Sequence, residues 1–393
     1  MDWVEVVLGT WHTLKDYLQH MFIKYQYAFI ETILLTTYSS STVESLIKVT
    51  NWSRSHSAMI CIIESLLRTL LESYEQSSFC DKEKLAKLKK IISEGIECLQ
   101  KDKISEASIK NFSSAFKNCC TEFKEIYSSI EEFILDSSNN DEVVKLIIIA
   151  LDDFSAYHLM YMAIRTGCWK KRTTSLRMML ERIVVSGATF YQKLLIKHLA
   201  DIGSGYDRET LEFLEVGWVS SLSDGNANYL SEDEFHERTA SKDIKLIIPK
   251  FFTETNIEAI SHFIPISAKQ RSNFIEEILG IEPREPLLTK GCTPNFLKLN
   301  ERHIMTFQEK FKELELFTKS DRKLVQPFTN IEVPESVRND MLNGRKIGRD
   351  AVEAYVLPRF CATPHNMSQE NQPMKKIKLN LFKKNNNEKE TTE

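Results

Sequence analysis

The sequence predicts a mainly α-helical protein that opens on one short β-strand and ends in a disordered basic tail. Three observations carry this. The chain has 393 residues with only 12 glycines and 10 prolines, none of the prolines before Pro249, so its long N-terminal part can run as helix after helix with little punctuation. Apolar residues recur at helical spacing through most of that part. From Ala362 onward Asn, Gln, Lys and Glu dominate, a composition that buries too little apolar surface to order itself.

The elements follow in order. Trp3 to Leu8 is a β-like run ended by Gly9, and Thr10 to Leu35 carries Trp11, Leu14, Leu18, Met21, Phe22, Tyr25, Phe29 and Ile33 at helical period. Ser39 to Thr42 reads as a serine turn, and Ser53 to Tyr74 as a further helix. Residues 81–135 form a helical insertion of two amphipathic helices with a turn at Lys101 to Ser105. Asp136 to Asn140 closes that pair and caps the next helix.

Asp141 to Leu195 is the axis of the chain. Val143 to Ile164 is apolar on nearly every side and must be buried, the exceptions being Asp152, Asp153 and His158. Trp169 to Thr174 (WKKRTT) is expected to turn the chain, before helical patterns at Leu176 to Val185 and Thr189 to Leu199. A break at Asp201 to Gly205 precedes a helix capped by Asp207 and running to Trp218. Ser220 to Asn228 is the first boundary candidate, and Ser231 with Glu234 is a capping-box pattern.

Residues 226–333 then form a smaller helical region, with a helix at Thr255 to Leu279 and a connector at 280–294 that holds Pro283, Pro286 and Pro294. Helices near Arg302 to Phe317 and Ser336 to Leu357 follow. The domain reading is therefore a helical domain at 1–225, the smaller region at 226–333, a C-terminal helix at 334–361 and the tail at 362–393.

Composition excludes several classes. With 51 basic and 55 acidic residues the formal net charge is -4, so no global field recruits nucleic acid or anionic lipid and such binding needs a local patch. The eight cysteines lack CxxC spacing and are expected as reduced thiols of a cytosolic or nuclear protein. Asp2 and Glu5 stand where a secretion signal would be basic, and Lys145, Asp152 and Asp153 interrupt the best apolar run, so no membrane partner is expected. Walker, GxGxxG, GxSxG and HExxH patterns are absent.

Four features remain as candidate chemistry. Asp152 or Asp153 offers a hard carboxylate to magnesium, or pairs with a neighbour such as Arg165 or Lys171; adjacent helical residues diverge by about 100°, so one ion takes only one of them. His12 sits at a strand-to-helix junction, where α/β folds place active groups, or is an ordinary turn histidine. Trp169, Lys170, Lys171, Arg172 and Arg177 combine bases with an aromatic ring, a pattern suited to phosphate contacts and stacking, or a solvated basic surface. Lys375, Lys376, Lys378, Lys383 and Lys384 lie between apolar residues in PMKKIKLNLFKK, which reads as a nuclear localisation signal, a docking peptide for a protein partner, or a solvating tail.

Several blocks in order resemble a family of transposon-derived animal proteins that are similar to degenerate RNase H-like DDE transposases: LGTWHTLKDYLQHMF, DDFSAYHLMYMAIRTGCWKKRTTSLRMMLERI, ATFYQKLL, DEFHERTASKDIK and VRNDMLNGRKIGRDAVEAYVLPRF. The resemblance implies that Trp3 to Leu8 is a late strand of an α/β core whose earlier strands and first aspartate lie upstream of Met1. It places His12 in the region of the second acidic position and Asp152 and Asp153 beside the third. Ser241 stands where that pattern has asparagine, and Leu246, Ile247 and Ile248 replace a glycine pair that lets backbone approach closely. The expectation is a catalytically inactive nuclear protein that binds DNA or a protein partner. The rivals are a magnesium-dependent nuclease or transposase, which needs three converging carboxylates, and a helical scaffold with no nucleic-acid role.

Overall fold

The computed structural model describes residues 8–99, 110, 113–115, 117, 119–186, 189–220, 229–238, 294–317, 319 and 321–360, and among these described residues it has thirteen α-helices and one two-stranded sheet. The mainly helical class is thus the observed one. The predicted strand at Trp3 to Leu8, apart from Leu8 itself, and the turn at Lys101 to Ser105 fall outside the described residues, as do the helix at Thr255 to Leu279, nearly all of the proline-containing connector, and the tail.

The helices are α1 Thr10–Tyr25, α2 Glu31–Leu35, α3 Ser40–Ile47, α4 Trp52–Gln76, α5 Lys82–Leu99, α6 Cys120–Asn140, α7 Glu142–Thr166, α8 Trp169–Ser186, α9 Thr189–Ala200, α10 Arg208–Gly217, α11 Glu232–Arg238, α12 Pro294–Lys312 and α13 Glu335–Phe360. A π-helical turn, Gln26–Ile30, joins α1 to α2, and another, Asp201–Gly205, follows α9. Strands β1 Val219–Ser220 and β2 Leu230–Ser231 pair antiparallel, Val219 opposite Ser231.

The chain groups into two compact units that are each discontinuous in sequence: Met1–Lys24, Asp152–Lys298 and Asn339–Glu393 in one, Tyr25–Leu151 and Leu299–Arg338 in the other. The consecutive segments 1–225 and 226–333 are therefore each divided between both units. Helical period reports which face is buried, not which distant helix covers it.

In the second unit, α4 buries Ala58, Met59, Ile62, Leu66, Leu70 and Tyr74 at helical spacing. Leu70 and Tyr74 join Leu85 and Leu88 of α5 and Ile126 and Phe133 of α6 in one apolar cluster. Phe133 lies at its centre, with the rings of Tyr74, Phe79 and Phe317 at 5.9, 5.9 and 5.8 Å. Asp141 caps α7 by accepting from Val143 N and Val144 N at 2.9 and 3.0 Å, and it also holds Arg322. This corrects the expected cap at Asp136 to Asn140, which is still helical.

Two further expectations shift. The serine turn at Ser39 to Thr42 is the start of α3, since a β-region Ser39 is a good entry to a helix. The segment WKKRTT opens α8 instead of turning the chain; the turn is made by Gly167, whose positive φ of 63° suits glycine. Asp207 caps α10 as expected, accepting from Thr210 N at 2.7 Å. The capping-box pattern at Ser231 is not used, because the Ser231 hydroxyl is buried without a hydrogen-bond partner and its backbone belongs to β2.

Candidate functional site

The first unit holds two buried charge centres joined by α8. The first contains the aspartate pair of α7. Arg182 of α8 forks across it, donating from Nε to Asp153 Oδ1 and from Nη2 to Asp152 Oδ2, the latter at 2.7 Å. Lys24 Nζ reaches the other Asp153 oxygen at 2.7 Å. Arg345 of α13 reaches Asp152 Oδ2 and donates from Nε to Glu181 Oε2 at 3.1 Å. The Asp153 side chain is 3% exposed and that of Arg182 6%, so this pair is desolvated, while Asp152, Lys24 and Arg345 reach solvent at 36, 35 and 50%.

The Tyr17 hydroxyl donates to the Asp153 carbonyl at 3.0 Å. Burial, with Asp153 close by, raises the Tyr17 pKa well above its ordinary value and keeps it a donor. The neighbours expected for the pair, Arg165 and Lys171, are not its partners. Arg165 instead donates to the Tyr229 carbonyl at 2.9 Å, and Lys171 is exposed. Magnesium does not fit this arrangement, because both carboxylates are turned onto guanidinium and ammonium groups. Among the described residues no three acidic, histidine or cysteine side chains converge.

The second centre is Arg172, whose side chain has no solvent exposure. Its Nε donates to Thr10 Oγ1 at 3.0 Å, Nη1 to His198 Nε2 at 3.0 Å, and Nη2 lies 3.4 Å from the Leu8 carbonyl. The guanidinium lies against two indoles, 4.7 Å from the centre of Trp169 and 5.4 Å from that of Trp218. Those rings meet edge to face at 6.2 Å. Burial pushes the Arg172 pKa down to about 10, with Asp233 opposing, so the group stays charged.

Burial and then Arg172 push His198 down to about 3, which makes it neutral. A guanidinium only donates, so Nε2 accepts and the proton is assigned to Nδ1.

Around this centre the start of α1 meets α11. Asp233 accepts from Trp11 N and His12 N at 3.0 and 2.9 Å, capping α1 from a distant part of the chain. Gly9 permits the approach, since a Cβ there would fall 2.8 Å from Asp233 Oδ2. His12 thus contributes its backbone amide, while its ring lies tilted against Trp11 at 4.8 Å. The quoted blocks beginning at Leu8, Asp152 and Asp233 therefore meet in one place.

The predicted nucleic-acid residues divide. Lys170, Lys171 and Arg177 are exposed on α8 and have no ion pair among the described residues. Arg172 is a correction: its guanidinium is sealed in the protein and cannot reach a phosphate. Trp169 has one face taken by Arg172 and packs edge to face with Trp218, so it is not an open stacking platform. Arg182, His198, Trp218 and Arg345 were not anticipated. The signal for Arg182 was present, a lone cation amid Met178, Met179, Leu180 and Ile183, but its partners lie on other helices. Lys375, Lys376, Lys378, Lys383 and Lys384 are outside the described residues.

No helix among the described residues is long and apolar enough to cross a membrane. A family model described as Domain of unknown function (DUF8702) matches residues 1–392. No curated protein and no solved structure matches the chain.

Proposed function

We propose, from the premise that the chain belongs to the DUF8702 family, that it is a transposon-derived, catalytically inactive nuclear protein that binds DNA through α8. The carrying observation is the set Lys170, Lys171 and Arg177, exposed on one helix and without an ion pair among the described residues. Some surface cations among the described residues are neutralised locally, such as Lys48 on Glu44, Lys87 on Glu122 and Arg208 on Glu212. Cations without that neutralisation are the ones that gain by releasing counterions from a phosphate backbone.

The first charge centre supports the reading that catalysis is lost. Asp152 and Asp153 are bound by Arg182, Lys24 and Arg345, and a metal-dependent nuclease would need them free and joined by a third carboxylate. Sequence at Lys375, Lys376, Lys378, Lys383 and Lys384 supplies a nuclear address or a contact for a protein partner.

The test is fluorescence anisotropy of the full chain with a labelled duplex over a salt series. Each phosphate contact contributes about 0.9 to the slope of log K against log salt, so Lys170→Ala, Lys171→Ala and Arg177→Ala together lower the slope by up to about 2.7. Binding that ignores salt, or that the triple variant leaves unchanged, refutes the reading and leaves a helical scaffold. If the address reading holds, deleting Pro373 to Lys384 moves the protein out of the nucleus; unchanged localisation rejects it.

A further inference from the structure

A surface of the other sign lies on α10. Glu209, Glu212, Phe213 and Val216 stand at i, i+3, i+4 and i+7, so they form one stripe of that helix, across from Leu214, which is buried. Phe213 is 75% exposed and Val216 78%, two of the three most open large apolar side chains among the described residues. The Phe213 ring lies beside Gly217, where a Cβ would sit 3.6 Å from two ring carbons, so it rests against its own helix and not in the core. A lone exposed apolar residue needs no explanation, but two on one stripe framed by carboxylates make a small patch.

The patch is acidic. Asp207 to Gly217 holds four carboxylates and one cation, Arg208, which pairs with Glu212 at 2.7 Å. Glu209 and Glu215 are exposed and without an ion pair among the described residues. Such a surface repels phosphate and anionic lipid and selects a basic partner with apolar side chains between its charges. Pro373 to Lys384 (PMKKIKLNLFKK) has that chemistry, with five lysines, no carboxylate, and Ile377, Leu379, Leu381 and Phe382 among them. α10 and all but the first turn of α13 belong to the same compact unit. The twelve residues between Phe360 and Pro373 reach up to roughly 40 Å, about the diameter of a domain of some 200 residues.

We infer that Pro373 to Lys384 docks on the stripe of α10 in the same molecule, with Phe213 and Val216 as the apolar anchors. Exposed ion pairs add little to affinity, so the two apolar side chains carry the contact and the glutamates give it its sign and its salt dependence. Docking covers the lysines of the segment. Any import receptor or protein partner that reads Lys375 to Lys384 then has to displace it from α10. The docking rests on no part of the DNA-binding reading of α8; only this consequence draws on the reading of the tail as an address or partner contact.

The experiment titrates a fluorescein-labelled peptide, PMKKIKLNLFKK, with the full chain and reads anisotropy at low salt. A tail variant, in which Lys375, Lys376, Lys378, Lys383 and Lys384 are all replaced by Glu, keeps α10 and removes the internal competitor. A short tether gives an effective concentration on the order of 1 mM, so for a peptide Kd of about 100 µM the parent is expected to bind about 10-fold more weakly than the tail variant. Adding Phe213→Ser with Val216→Ser to the tail variant is expected to lower peptide affinity about 10-fold. Adding Glu209→Gln with Glu215→Gln instead should lower it about 3-fold and flatten its dependence on salt. All four positions are exposed, and circular dichroism is expected to show unchanged helix content. No binding to the tail variant, or binding that the α10 substitutions leave unchanged, overturns the inference. Equal binding by parent and tail variant shows that the chain's own segment does not occupy α10, and also overturns it. A parent dimer in sedimentation velocity that the tail variant loses makes the occupant a second copy's segment, which overturns docking within one molecule.

Discussion

His198 gives the sharpest stability prediction. It is 1% exposed, its Nε2 accepts from Arg172, and burial with the adjacent guanidinium lowers its pKa from 6.5 to about 3. The folded-state pKa lies below the unfolded one, so between those values the unfolded chain binds the extra proton and stability rises with pH. The contribution is present in full above the unfolded pKa and is lost as pH falls through the interval. At about 1.36 kcal/mol per unit, the loss is roughly 2 kcal/mol by pH 5 and roughly 5 kcal/mol by pH 3.

The perturbation is His198→Gln, whose amide oxygen can still accept from Arg172 but does not titrate. The assay is urea unfolding followed by tryptophan fluorescence, because Trp169 and Trp218 flank Arg172 and report on this centre. Burial also lowers the pKa of His20, His158 and His303, which push the pH dependence in the same direction in both proteins. The difference between the two proteins therefore isolates His198. Between pH 7.5 and pH 5 the parent is expected to lose about 2 kcal/mol more stability than the variant. Equal pH slopes in the two proteins would refute the assigned neutral state.

Three other substitutions test the packing of the same account. Asp153→Ala leaves the buried Arg182 Nε unpaired, with only the part-exposed Asp152 as counter-charge, and is expected to cost about 1–3 kcal/mol in urea unfolding; a cost well under about 1 kcal/mol would show that water reaches this pair. Gly9→Ala pushes Asp233 off Trp11 N and His12 N and should cost about 1–2 kcal/mol, the value of a helix cap, with faster amide exchange at the start of α1. Phe133→Ala opens a cavity between Tyr74, Phe79 and Phe317 and should cost about 3–5 kcal/mol, read from the thermal midpoint.

Helices were legible where the apolar period was long: Thr10 to Leu35, Ser53 to Tyr74 and Val143 to Ile164 all form the expected helices within a few residues of the predicted ends, the first interrupted by a π-helical turn. Asp207 was legible as a cap because its partner Thr210 is local in sequence. What could not be read was pairing across distance. Asp153 meets Lys24 and Arg182, 129 and 29 residues away, and Asp233 meets Trp11 and His12 more than two hundred residues back. Nothing in local spacing ranks those partners above Arg165 or Lys171. Nor does a basic run reveal which of its members is turned inward, and WKKRTT was misread as a turn for the same reason.

That last ambiguity is resolved by what sits at the two ends of α8. Arg172 is held inward by Thr10, His198 and two indoles, and Arg182 is held inward by Asp152 and Asp153. Two buried guanidinium groups, fixed to different elements, leave α8 no freedom to rotate about its axis. A rotation of one residue, about 100°, would draw an unpaired buried cation into solvent at one end and break a paired one at the other. Lys170, Lys171 and Arg177 face outward because Arg172 and Arg182 face inward. The bases that face outward are therefore set by the arginines that face inward, and under the proposed DNA-binding reading replacing Arg172 should act through the orientation of α8, not through a lost contact. Arg172→Met tests this directly. It is expected to weaken affinity at low salt while leaving the slope of log K against log salt nearer to the parent's than the Lys170, Lys171 and Arg177 variant does. A slope reduced by about 0.9 would instead mean that Arg172 itself reaches a phosphate.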